Sequence, residues 1–112
     1  HGMAPLISHV YELGLMEAIA LPQQECFAAA LQFARTEGIV PAPEPTHALA
    51  AVIREALACT ESGEEKVILT ALCGHGFLDL PAYDAYLSGQ MVDNELSDQS
   101  LAEAMATVPV LG

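Results

Sequence analysis

Apolar positions recur along the chain in two rhythms. Leu6, Ile7, Val10 and Leu13 follow helical spacing and predict a helix over 3–13, with Gly14 as its stop. The run LMEAIAL (15–21) is short, apolar and bounded, which suits a strand. Pro22 then opens a helix whose apolar face is Cys26, Ala29, Ala30, Phe33 and Ala34, and Gly38 ends it. The prolines of IVPAPEP allow a short strand at 39–41 and then a turn.

Thr46 is placed to cap a third helix with a stripe of Leu49, Val52, Ile53, Ala56 and Leu57, and TESGEE (60–65) reads as the solvated loop that closes it. KVILTAL (66–72) reads as a strand buried on both faces, because its apolar residues run on without alternation. The pattern predicts an α/β fold: a three-layer parallel sheet with flanking helices and right-handed crossovers. Its helix-strand-helix-strand-helix-strand core covers 3–72, a loop covers 73–79, and a helical tail covers 80–112. Within that tail 82–87 forms a short helical turn, SGQMVDNELSD an acidic loop, and Leu101, Ala104, Met105 and Val108 a last helix capped by Ser97.

Composition narrows the function. A chain of 112 residues makes one domain with one modest core, yet 53% of its residues are apolar, a large share for so much surface. That predicts a piece of a larger apolar assembly. The opening HGMAPLISHV, with no initiator methionine, points the same way. Charged residues interrupt every apolar run before the roughly 18 residues a membrane span needs. With a net charge of −12 and only Arg35, Arg54 and Lys66 as fixed cations, the chain offers nucleic acid no basic patch. Cys26, Cys59 and Cys73 form no CxxC pair, and the histidines show no metal-ligand spacing, so a reducing cytoplasm without a metal site is expected.

Ligands of open α/β sheets gather beyond the carboxyl ends of the strands. That rule selects Pro22-Gln23-Gln24, Pro43-Glu44-Pro45 and Cys73-Gly74-His75-Gly76. Glu44 sits where a helix dipole favours negative charge, and is either a ligand-facing carboxylate or an ordinary N-terminal helix acid. Cys73 is either a weak donor at the strand end or a space-filling thiol. Gly74 and Gly76 permit positive φ or close backbone approach. His75 is either an acid-base group or a solvent-facing side chain.

ARTEGIVPAPEPTHALAAVIREA (34–56), followed by KVILTALCGHGFLDLPAYDAYLSG (66–89), resembles the C-terminal region of tryptophan synthase β chains, in particular their divergent second type. The resemblance implies a fold-type II pyridoxal phosphate enzyme, a lyase that replaces the hydroxyl of L-serine with indole to give L-tryptophan. It implies that Cys73, where the family typically has serine, meets the pyridine nitrogen, with Gly74 at the same edge and Glu44 beside the ring. Indole would reach such a parent either free or from a tryptophan synthase α chain as partner.

The family's Schiff-base lysine and phosphate loop lie upstream of the matched region. Lys66, the single lysine, stands roughly 20 Å from Cys73 at the far end of its strand. The chain alone is therefore expected to be inactive and to self-associate, as a homodimer. A threonine synthase or cysteine synthase type enzyme, or a non-enzymatic acidic α/β module that binds a protein, would share parts of this pattern.

Overall fold

The computed structural model describes residues 4–93 and 97–108. They form α1 (Pro5–Glu12), α2 (Gln23–Glu37), α3 (Pro43–Ser62), α4 (Leu80–Leu87) and α5 (Asp98–Ala106), with a 3-10 turn at Gly76–Leu78. The ends follow the expected chemistry. Gly38 and Gly63 close α2 and α3 in the left-handed conformation, at φ 71° and 73°, each donating its N–H to a carbonyl of the last turn. The Ser97 hydroxyl caps α5 by accepting from Ser100 N at 3.2 Å.

Several boundaries differ from the sequence reading. Pro22 is the N-cap of α2, not its first residue. α3 begins at Pro43, so Thr46 lies inside the helix instead of capping it, with its buried hydroxyl donating back to the Pro43 carbonyl. The reason is that Pro43 and Pro45 occupy the first turn, where N–H groups have no intrahelical partner, so PEP starts a helix as readily as it ends a strand. At the other end Thr60–Ser62 extend α3 until Gly63 stops it. α5 ends at Ala106; residues 1–3, the last of which opens the expected first helix, 94–96 of the acidic loop and the tail beyond 108 lie outside the described residues.

Packing centres on α2. Its Cys26 and Ala29 meet Leu49 and Ala50 of α3, with Leu21, Phe33 and Ile53 around them. Small residues on both sides let the two backbones approach closely. Across this interface Arg54 clasps Glu25 through both nitrogens of its fork, Nε to Oε1 at 2.6 Å. The pair is exposed, so it fixes geometry more than it adds stability. The opposite face of α2 presents Phe27 and Ala30 to Tyr83 of α4. Phe27 meets the Tyr83 ring edge-on, centroids 5.1 Å apart, and stacks on Tyr86 at 5.7 Å.

The expected parallel sheet is not formed: among the described residues there is no strand ladder. Segments 17–21 and 64–73 carry no regular structure, and the bridge that does form, Pro41 with His75, is antiparallel. The cause lies in what surrounds 66–72. Val67 and Leu69 are 101% and 96% exposed, while Ile68, 37% exposed, turns toward α3. The run has strand composition and an alternating display, but burial on two faces needs neighbouring strands, and none of the described segments stands beside it. Ile19 and Ile68 instead flank one groove over Ala48 and Val52 of α3 without pairing. The radius of gyration, 16.9 Å, exceeds the roughly 13 Å of a compact chain of this length.

Candidate functional site

The end of the 66–72 run and the start of α3 are joined by backbone. Gly76 N donates to Val40 O at 2.9 Å and Ala42 N donates to Gly74 O at 3.2 Å, on either side of the Pro41–His75 bridge. Two of the three segments selected from the sequence, Pro43-Glu44-Pro45 and Cys73-Gly74-His75-Gly76, are thereby brought to one place. The third is not. Pro22-Gln23-Gln24 is occupied by the chain after α4: Gln24 N donates to the Asp93 carboxylate at 2.9 Å, and the amides of Gln23 and Gln24 donate to the carbonyls of Val92 and Met91.

The glycines have a local reason. Gly74 sits at φ +110°, and a Cβ there would lie 2.9 Å from Ala42 Cβ. At Gly76 a Cβ would run into the Pro41 carbonyl oxygen and lie 2.9 Å from Val40 Cγ1. Glycine lets 74–76 close onto 40–42. His75 is exposed, and its Nδ1 accepts from Phe77 N at 3.1 Å, so the imidazole caps the 3-10 turn. Cys73 is a free, exposed thiol on the residue that leads into this clip. Glu44 is exposed in the first turn of α3, at the positive end of the helix dipole.

One residue of this arrangement escaped the sequence reading. Tyr83 is buried, and its hydroxyl donates to the Pro41 carbonyl at 2.5 Å. Burial pushes its phenol up from the ordinary range, with Asp79 adding to the effect, so the group stays a donor well into alkaline solution. The available signal was Tyr83 and Tyr86 three residues apart on a short helix begun by Pro81.

Two of the three fixed cations are engaged elsewhere. The Lys66 ammonium contacts Glu55 at 2.8 Å and Glu64 at 3.2 Å, and these carboxylates raise its pKa far above the usual lysine range. Arg54 holds Glu25. Among the described residues no group of three or more His, Cys, Asp or Glu is arranged to hold a metal ion, and no helix is long and apolar enough to cross a membrane.

No protein-family model matches the chain. Curated relatives do. The tryptophan synthase beta chain 2 of Aquifex aeolicus is 60% identical over 93 residues, which are 83% of this chain and 21% of the relative. The protein of the same name in Methanosarcina acetivorans is 56% identical over 92 residues, 82% of this chain and 21% of its own. The chain is homologous to part of a tryptophan synthase beta chain. The beta chain of Pyrococcus horikoshii extends the match to 109 residues at 49% identity, 97% of this chain and 23% of the relative. The resemblance carried by 34–56 and 66–89 is thus borne out, and the chain spans about a fifth of the length of the curated tryptophan synthase beta chains it matches.

Proposed function

We propose that the chain is the C-terminal part of a tryptophan synthase β-type enzyme, whose parent joins indole to the β-carbon of L-serine with the help of pyridoxal phosphate. The observation that carries this reading is the 60% identity over 93 residues to a protein of that name. The clip between 40–42 and 74–76 supports it, since it joins the two segments to which the resemblance gives cofactor contacts.

The residues fit one edge of that cofactor. A pyridine nitrogen is an acceptor, and Cys73 offers an exposed, free S–H on a loop that the clip holds in place. When bound, pyridoxal phosphate draws electrons from the substrate α-carbon and stabilises carbanion character there. A neutral thiol partner leaves the ring nitrogen unprotonated, which favours β-replacement over transamination. Gly74 turns the backbone away at positive φ, keeping a side chain off that edge. Glu44, an exposed carboxylate in the first turn of α3, would stand beside the ring. The phosphate falls to the remainder of the parent, where the resemblance places the phosphate loop, and Arg54 and Lys66 are paired with carboxylates of this chain. Lys66 pairs with Glu55 and Glu64 and opens the 66–72 run whereas Cys73 follows its end, so the lysine that bonds the cofactor falls to the remainder of the parent.

The parent works in the cytoplasm and takes indole either free or from a tryptophan synthase α chain. The full-length parent, incubated with serine and indole, is expected to form tryptophan. Activity with O-acetylserine and sulfide or with phosphohomoserine, and none with indole, would move it to the cysteine synthase or threonine synthase type.

A further inference from the structure

Tyr83 lies outside every segment so far given a role, yet it contacts the one strip of backbone that organises the site. Within 40–42, Val40 O and Ala42 N are used by the clip, and the carbonyl between them, that of buried Pro41, takes its hydrogen bond from the Tyr83 hydroxyl. Three contacts therefore run in series. The aromatic cluster of Phe27, Tyr83 and Tyr86 fixes the tyrosine ring, the hydroxyl fixes Pro41, and Pro41 with its neighbours fixes 74–76.

We propose that Tyr83 is a positioning residue for the cofactor edge: through Pro41 it sets where the Cys73–Gly76 loop stands against the start of α3. The proposal rests on the functional reading above. The phenol supplies what another side chain would not. It reaches from α4 into a buried spot, carries a single donor, and keeps its proton because burial raises its pKa. Without the hydroxyl, the Pro41 carbonyl faces an apolar ring edge, and a buried acceptor left unpaired drives the strip to shift or admit water. A shift in 40–42 is passed to 74–76, because the glycines bring the two strips too close to move independently.

The test uses the full-length parent with Tyr83→Phe, which keeps the ring, and Phe33→Leu, which loosens the separate α2–α3 core and leaves the Tyr83 cluster intact. Three quantities are read: the dissociation constant for pyridoxal phosphate, the pH midpoint of the bound cofactor's visible band, and the melting temperature of the cofactor-free protein. Tyr83→Phe is expected to weaken cofactor binding about five-fold, the loss of one hydrogen bond, and to displace the pH midpoint. Phe33→Leu is expected to lower the melting temperature with neither change. If Tyr83→Phe accumulates unfolded, Gly76→Ala attacks the same clip from the other strip and carries the same expectation. Wild-type dissociation constant and pH midpoint in a folded Tyr83→Phe would reduce the tyrosine to a packing role while leaving the functional reading intact. A wild-type parent that binds no pyridoxal phosphate would overturn both.

Discussion

The α-carbon of Gly76 faces the carbonyl oxygen of Pro41 so closely that no side chain fits between them. Gly76 is buried, its N–H is spent on Val40 O, and the obstacle is backbone, which cannot rotate aside as a side chain would. Gly76→Ala is expected to cost about 1–3 kcal/mol, the usual range for overpacking. Urea unfolding of the chain would measure it. A midpoint equal to wild type would mean that the strips at 40–42 and 74–76 are separable.

How far the sequence could be read depends on whether a signal is local. Gly38 and Ser97 act on neighbouring backbone groups, so the helix ends they mark were legible. The apolar run 66–72 states only that its side chains favour burial. Whether it pairs depends on a strand that must come from elsewhere, and Val67 and Leu69 stand bare. The site was half legible for the same reason. Cys73, Gly74 and Glu44 were selected by a strand-end rule and the resemblance, whereas the Tyr83 to Pro41 bond spans 42 residues and has no local signature.

The isolated chain is expected to make no tryptophan from serine and indole. Its single lysine is bound between Glu55 and Glu64, at the opposite end of the 66–72 run from Cys73. Mixing the chain with pyridoxal phosphate, dialysing and recording the visible spectrum checks this directly. A band that survives dialysis and is fixed to Lys66 by borohydride would refute the geometric argument.

Cys73 gives a sharper test within the parent. If its thiol partners the pyridine nitrogen, Cys73→Ser retains or improves cofactor affinity, because a hydroxyl is the better donor. Cys73→Asp would protonate that nitrogen and depress β-replacement. Activity alike in both variants and wild type would remove Cys73 from the site and leave it a loop residue.

Alkaline solution should loosen the α2–α3 interface. Burial, followed by the neighbouring Glu25, pushes the Cys26 thiol up, with a lesser opposing contribution from the Thr46 hydroxyl. For an acid whose folded pKa lies above its unfolded value of about 8.5, the unfolded state loses its proton first. The contribution is therefore fully present below that value and fades as pH rises through the folded pKa. Melting temperatures between pH 7 and 11 should fall above about pH 9, and Cys26→Ala, though less stable at neutral pH, should show a shallower decline.

The chain on its own is expected to self-associate. Val67 and Leu69 project into solvent, the backbone groups of 66–72 have no ladder, and α1 buries none of its residues although Leu6, Ile7 and Tyr11 are apolar. Unpaired strand edges beside exposed apolar side chains are templates for another strand, and a second copy offers the same run at equal concentration. The net charge of −12 opposes unlimited growth, because each added copy increases the repulsion, so a closed dimer is favoured over a precipitate. Sedimentation at micromolar concentration distinguishes the outcomes, with a dimer weakening on charge substitution at Val67→Lys or Leu69→Lys. A clean 11.8 kDa monomer that binds no apolar dye would show that the chain covers its own surface, and would favour a self-sufficient acidic module over part of an enzyme.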